Sequence, residues 1–529
     1  MELQVTKGDV RLPTPTTIRC TDPATLQLLG EIPVVAPEEV RERVRRARAA
    51  QTQWAATRFS ERRRVLGMIL EHLLDHADEL CDLIARDSGK TRENALLGEI
   101  WPICEKLRHT IAHGERDLAP ERVSSGLLLH KRARIEYRPL GVIGVICPWN
   151  FPLQNVLGPT IPALMAGNAV VVKVSEWTSW SQPRIQRIFD EALNAAGYST
   201  DLVQLITGFG ETGAALCSSG ADKIVFTGSM PNGRRVAAQC AKTLTPVILE
   251  LGGKDPMIVC DDAAIDQAVH AALAGTFISS GQMCLAAERV LVFDAVYNQF
   301  VDAVVEEARK LKQGPPLSGD LVDVGAMTMP HQVEIVERLV KDAVEQGAEV
   351  RVGGKRGGLK GQFFEPTVLT GVEPHMAIAR EETFGPVMCI FRVKSEDEAI
   401  RVANDTEYGL GSTVFTQDKQ RGRRIADRLV AGSTVVNDFG LAYMANALPF
   451  GGVRGSGYGR LNGREGIRAM CNIKSVMEDR FALHKPVKLY PVKLGDFERT
   501  RHTIELLYRR SPLQRLESAF ALVRTLFRR

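Results

Sequence analysis

The chain has 529 residues, 44% of them hydrophobic and 25% charged, with a formal net charge of +4. That length exceeds a single compact core and predicts two or more domains, with a composition ordinary for a soluble globular enzyme. Residues 485–529 hold eleven Lys or Arg against four Asp or Glu. The body is therefore near neutral, without the basic surface expected of a nucleic-acid enzyme.

The opening run MELQVTKGDV lacks the apolar core of a signal peptide. Ten scattered cysteines form no C-x-x-C pair, so reduced thiols in a cytoplasmic protein are expected rather than a disulfide framework. Apolar residues at three- and four-residue intervals predict helices from Arg41 to Leu70 and on to Asp87, with Gly89 as the stop. GLLLHKRARIEYRPLGVIGVICPW alternates and predicts a hairpin. Its most apolar part, Val142 to Cys147, is far shorter than the roughly 20 residues needed to cross a bilayer. AVVVKVS, LVQLITG, KIVFTGS and PVILELGG then alternate with helical patterns, which predicts a parallel sheet covered on both faces. A second α/β alternation starts after Gly253 with DPMIVC, AIDQAVHAALAGTF and RVLVF, and runs to GSTVVN near Asn437. Beyond Arg480 the composition shifts to Lys, Arg, Tyr and Pro, marking a boundary.

Gly208-Phe-Gly-Glu-Thr-Gly213 has the G-x-G-x-x-G spacing of a dinucleotide turn, after a strand and before a helix. The acid expected about 20 residues on, at the end of the next strand, is missing; Asp222 precedes that strand. The stretch reads as a wall of a cofactor site near its adenine side, with glycine letting the backbone come close.

Three side chains carry the chemistry. Cys284 sits in a Gly-Gln-Met-Cys turn, Glu250 stands between apolar residues and two glycines, and Asn150 lies in the bending segment CPWNFPL. A lone apolar-context cysteine is more often a buried small hydrophobe. Together, however, a thiolate, an amide donor and a carboxylate form a coherent acyl-transfer set.

The chain resembles the aldehyde dehydrogenase superfamily. PWNFP (148–152), KVSE (173–176), FTGS (226–229), ELGGK (250–254), GQMC (281–284), EETFGPV (381–387) and PFGG (449–452) appear in the family's order, and the likeness runs from about Ile18 to Met477. The resemblance implies that Cys284 attacks the aldehyde and that Asn150, with the Cys284 N–H, holds the oxyanion. It implies that Glu250 activates the water that hydrolyses the thioester; relatives that acylate coenzyme A generally lack that carboxylate. It places the adenosine ribose at Lys173 and Glu176, the pyrophosphate at Thr227, Gly228 and Ser229, and the nicotinamide at Glu382 and Phe384. Glu176 favours NAD over NADP, and no metal is expected. Alternatives are a coenzyme-A-acylating relative and a catalytically idle member used for binding.

Departures from the family pattern also stand out. Pro159 occupies a position where many relatives carry Lys, and Leu461 one where many carry Glu; these two groups have been proposed as a proton route from the base. Gly158 replaces a bulky aromatic of the substrate tunnel, which suggests long or bulky aldehydes.

The resemblance implies an α/β fold with a doubly wound parallel-sheet cofactor domain (1–121 and 142–250) and an α/β catalytic domain (251–452). A small β oligomerisation element (122–141 and 453–484) implies a homodimer or homotetramer. The basic tail (485–529) ends in SPLQRLESAFALVRTLFRR, where Ser511 and Pro512 suit a helix start. Leu513, Leu516, Phe520, Val523 and Phe527 form one stripe, with Arg515, Arg524, Arg528 and Arg529 around it. It reads as a helix packed on the body or a neighbouring subunit, as a peripheral membrane helix, or as a disordered tail.

Overall fold

The computed structural model describes residues 15–481 and 489–527. These fall into a larger unit, Met1–Pro120 with Glu136–Lys474, and a smaller one, Glu121–Ile135 with Ser475–Arg529.

The larger unit holds two main sheets. The first runs, in spatial order, Gly457–Tyr458, Val247–Glu250, Lys223–Thr227, Val142–Ile146, Ala169–Lys173, Val203–Ile206. All its neighbours are parallel except the first pair. Val142–Ile146 and Ala169–Lys173 are buried along their whole length, as central strands covered on both faces must be. Chain order reverses between Val142–Ile146 and Lys223–Thr227, and such a switch point opens a crevice at the carboxyl ends of the strands. The second sheet runs Glu349–Val352, Thr367–Thr370, Val387–Val393, Ala287–Phe293, Asp255–Val259, Thr413–Phe415, Val435–Val436. Only its first pair is antiparallel.

Local chemistry explains where the sequence-based boundaries shift. The helical pattern from Arg41 onward forms three helices, Pro37–Ala55, Phe59–Asp75 and Ala77–Ser88. The middle one starts in a capping box between Arg58 and Glu61. Gly89 ends the run in the left-handed region at φ +81°. The hairpin is also differently divided. Lys131–Pro139 pairs antiparallel with Glu121–Val123, whereas Val142–Ile146 leaves at Gly141 (φ +133°) for the centre of the first sheet. Likewise Gly457–Tyr458, within the segment read as part of the oligomerisation element, pairs with Val247–Glu250 instead.

A three-stranded sheet has the order Cys471–Asp479, Lys131–Pro139, Glu121–Val123. Arg134 bridges Glu478 at 2.8 Å. In the smaller unit, helices Asp496–Tyr508 and Pro512–Phe527 pack on each other. Ser518 Oγ of the second donates to Glu505 Oε2 of the first at 3.4 Å. Leu513, Leu516, Phe520 and Val523 are left exposed. The side chain of Phe527, together with Arg528 and Arg529, lies outside the described residues.

Candidate active site

A cavity of about 1160 Å³ opens at the switch point and is lined by Cys284, Asn150 and Glu250 together. Lys173, Glu176, Thr227, Gly228, Ser229, Glu382 and Phe384 line it as well. Gly208 does not. An added Cβ there would meet the Thr212 side chain, while Gly210 and Gly213 of the same stretch reach the cavity wall. The G-x-G-x-x-G spacing thus shapes a turn whose first glycine serves packing.

Cys284 follows three consecutive residues in the left-handed region, Ser279 (φ +51°), Ser280 (φ +57°) and Gly281 (φ +72°). Non-glycine residues rarely adopt this conformation, so the surrounding bonds must hold it. The Ser279 N–H donates to Asn94 Oδ1 at 2.6 Å and Ser280 Oγ to the Gly325 carbonyl at 2.9 Å. Gln282 Nε2 donates to the Ser279 carbonyl at 3.0 Å, and its Oε1 accepts the Thr328 N–H at 2.9 Å. Burial first, then Asp255, Glu382 and Glu250, push the Cys284 thiol far above the ordinary range.

Asn150 is buried, and its Nδ2 donates to the Gln282 carbonyl at 3.1 Å, two residues before Cys284. Its Oδ1 accepts Asn155 Nδ2 at 3.2 Å, which fixes the amide with Nδ2 toward the Cys284 turn. Lys90 and Glu99, both buried and absent from the sequence-level candidates, anchor the loop. Lys90 Nζ donates to the Asn150 carbonyl at 2.7 Å and to Glu99 Oε1 at 2.8 Å. Glu99 Oε2 accepts the N–H groups of Leu153 and Gln154, each at 2.9 Å.

Glu250 ends its strand with both carboxylate oxygens buried and unpartnered among the described residues. Burial pushes its carboxyl well above the usual range, against the opposing pull of Arg460 and Lys106. Such a group can accept a proton near neutral pH.

The remaining candidates fit a dinucleotide. Ser229 is the N-cap of the helix Met230–Ala241 and makes no side-chain cap bond, so the first-turn N–H groups beside the cavity remain available for a phosphate. Lys173 Nζ pairs with Glu176 Oε2 at 3.0 Å at the cavity wall. Glu382 accepts the Gly253 N–H at 3.0 Å; burial first, then Glu288, raises its carboxyl to about 8. Phe384 has φ +49° and meets Trp149 edge-on at 5.5 Å. Glu288 holds this segment by accepting the Thr383 and Phe384 N–H groups at 2.8 and 2.9 Å. Among the described residues, no group of three or more His, Cys, Asp or Glu is placed to hold a metal.

The tunnel expectation for Gly158 is corrected. Gly158 does not line the cavity, and a Cβ there would stand 3.9 Å from Lys106 Nζ. The apolar wall comes instead from Leu97, Pro102, Phe151, Tyr443, Phe450 and Leu461.

The profile of the aldehyde dehydrogenase family matches residues 11–476. An aldehyde dehydrogenase-like protein, C21C3, of Schizosaccharomyces pombe is 40% identical over 486 residues, covering 90% of this chain and 93% of its own. The 4,4'-diapolycopene aldehyde oxidase of Methylomonas sp is 37% identical, covering 93% and 92%. An aldehyde dehydrogenase from Bacillus cereus, solved as an NAD+ complex, superposes with a TM-score of 0.83 at 33% identity, covering 88% of this chain and 94% of that one.

Proposed function

Because the chain belongs to the aldehyde dehydrogenase family, whose enzymes act on aldehydes with NAD or NADP, we propose that it produces carboxylic acids through a thioester on Cys284. NAD is the preferred oxidant, and long or bulky apolar aldehydes are the substrates. One observation carries the hydrolytic reading. Glu250, with both oxygens unpartnered, lines the same cavity as Cys284.

Cys284 loses its thiol proton to water, the thiolate Sγ adds to the aldehyde carbon, and the carbonyl electron pair moves onto the oxygen. Asn150 Nδ2 and the Cys284 N–H stabilise that oxyanion; losing one such donor typically costs about 10²–10³ in rate. When bound, the dinucleotide supplies a hydride acceptor and a positive charge beside the thiol. At the thioester stage Glu250 takes a proton from water, the resulting hydroxide attacks the acyl carbon, and the Cys284 thiolate leaves.

Glu176 supports NAD because a 2′-phosphate would face its carboxylate while Lys173 is already paired to it. The apolar wall supports a hydrophobic aldehyde. The name of the Methylomonas relative, which gives 4,4'-diapolycopene aldehyde as its substrate, points the same way. An aldehyde panel with NAD and NADP, followed by absorbance of the reduced cofactor, tests all three points. Acid formation without coenzyme A is expected; a requirement for coenzyme A overturns the hydrolytic reading. Glu250→Gln should preserve acylation and slow deacylation, and an unchanged steady state removes Glu250 as base.

The three-stranded sheet supports a homodimer or homotetramer through its edge strands, which light scattering on the eluted protein tests. The boundaries 1–121 with 142–250, 251–452, 122–141 with 453–484, and 485–529 remain the proposed division, with Gly457–Tyr458 moved to the cofactor sheet. No helix among the described residues is long and apolar enough to cross a membrane. The exposed Leu513, Leu516, Phe520 and Val523, in a tail rich in Lys and Arg, instead support a cytoplasmic enzyme resting on an anionic membrane surface. Flotation with vesicles containing phosphatidylserine should be lost in Leu516→Glu/Phe520→Glu; absence of binding by the full chain overturns this reading.

A further inference from the structure

A polar pair interrupts the apolar wall of the large cavity. Gln154 Nε2 donates to the Tyr443 hydroxyl oxygen, and both side chains line the cavity that also holds Cys284 and Glu250. Each partner stands on an anchored backbone. Gln154 is the first residue of the helix Gln154–Ala166, and its N–H donates to Glu99 Oε2 at 2.9 Å. Tyr443 sits in the short helix Leu441–Met444, where Asn462 Nδ2 donates to its carbonyl at 3.2 Å. Its ring meets Phe450 edge-on at 4.8 Å.

The pair leaves hydrogen-bond donors unused. An amide carries two N–H donors and a phenol one, and a single bond joins them here. Among the described residues neither side chain has a further hydrogen-bond partner. As oriented, the phenol hydrogen and the second amide hydrogen are spare; with the amide reversed, the phenol donates and both amide hydrogens are spare. Either way two donors remain at the cavity wall. Burial, aided by Cys284 and Glu250 against the opposing Gln154 bond, holds the Tyr443 phenol above its ordinary range, so the phenol keeps its hydrogen at neutral pH. A chain that covers these donors must offer an acceptor, because a buried donor without a partner is costly and such sites reject analogues lacking the matching group. A neutral acceptor fits best. Of the cations lining the cavity, Lys173, Arg338 and Arg380 already face Glu176, Glu381 and Asp405. Arg235 donates to Asn232 on the helix Met230–Ala241. A carboxylate against Gln154 and Tyr443 would meet dipoles alone, with the Glu250 carboxyl in the same cavity.

We propose that Gln154 and Tyr443 are specificity-determining residues that select apolar aldehydes carrying a neutral acceptor, such as a ketone or a second aldehyde carbonyl, over plain alkyl aldehydes. The inference deepens the proposed function and rests on this cavity being the aldehyde site of Cys284. The remote carbonyl oxygen accepts from the phenol and the amide, while the rest of the chain packs on Leu97, Pro102, Phe151, Phe450 and Leu461. The reacting aldehyde carbon stays free for Cys284.

The test measures kcat and KM of the full-length enzyme with NAD, together with thermal melts, for the parent, Gln154→Leu and Tyr443→Phe. The substrates are decanal, oxodecanals with the keto group moved carbon by carbon along the chain, and the decanal analogue that ends in a carboxylate. The parent is expected to prefer at least one oxodecanal to decanal by about tenfold or more in kcat/KM. Each variant should reduce that preference by about tenfold at the same keto position, through a higher KM for the oxodecanal and a lower KM for decanal. No preferred oxodecanal, a preference for the carboxylate, or an unchanged ratio in either variant overturns the proposal. Equal losses on decanal and the oxodecanals with a lowered melting temperature show a structural role and also overturn it. If the parent reduces no NAD with any of these aldehydes, or Cys284→Ala turns them over as fast as the parent, the underlying reading of the site fails instead.

Discussion

Lys90 donates to the Asn150 backbone carbonyl at 2.7 Å, so the loop that carries Asn150 is held by an ammonium from a segment 60 residues away. The same Nζ pairs with Glu99, whose other oxygen binds two N–H groups of the Asn150 loop. Breaking a buried pair leaves an uncompensated charge, at a cost of about 3–5 kcal/mol. Glu99→Gln should therefore lower both the melting temperature and the acylation rate, the latter approaching the loss expected for Asn150→Ala. Melts and stopped-flow acylation check this; a stable variant with full acylation removes the anchoring role.

What was legible in the sequence was local. Cys284, Glu250 and Asn150 each stand within three residues of a glycine or proline, where backbone chemistry leaves a mark in the letters. Lys90, Glu99 and Lys106 lie on segments whose visible signal is apolar periodicity, and only tertiary packing buries their charges. Gly158 matches a tunnel position of the family, but its neighbour across space, Lys106, is 52 residues away in sequence and leaves no local mark there. The split of the hairpin at Gly141 was obscured because VIGVI continues the β-rich pattern of KRARIEYRP. Its burial on both faces, unlike the part-exposed strand before it, marks the change of sheet.

The Cys284 thiol, raised by burial and three nearby carboxyls, should be mostly protonated at pH 8. An ordinary cysteine near 8.5 already carries a sizeable thiolate fraction there. Iodoacetamide should alkylate Cys284 at least tenfold more slowly than free cysteine at pH 8, with a rate still rising at pH 10. Adding NAD should accelerate the reaction by placing a positive charge beside the sulfur. Peptide mass spectrometry at timed intervals measures this, and rapid pH-independent alkylation of the cofactor-free enzyme contradicts it.

Glu250 imposes a stability cost that depends on pH. Its folded carboxyl is raised above the unfolded value, so the folded state binds the proton more tightly and stability falls as pH rises from the unfolded toward the folded value. Below about 4.5 the group is neutral in both states and contributes no such penalty. Glu250→Gln should thus melt higher than the parent at pH 8, with the difference shrinking toward pH 5. Scanning calorimetry at the two pH values decides it; an equal offset at both would mean the carboxylate is not strained by burial.

Gly252 bears on cofactor affinity through Glu382. A Cβ at 252 would collide with Glu382 Oε2, and the adjacent Gly253 N–H donates to Oε1 at 3.0 Å. The glycine pair therefore sets where this carboxyl can stand at the wall of the large cavity, the proposed dinucleotide site. Gly252→Ala must push Glu382 aside, and overpacking of this kind costs about 1–3 kcal/mol. Because Cys284 and Asn150 are held by separate bonds, the defect should fall on the dinucleotide. KM for NAD is expected to rise about tenfold, while alkylation of Cys284 in the absence of cofactor stays within twofold of the parent. Paired titrations of NAD and aldehyde measure the split, and a loss confined to the aldehyde KM would place Glu382 with the substrate.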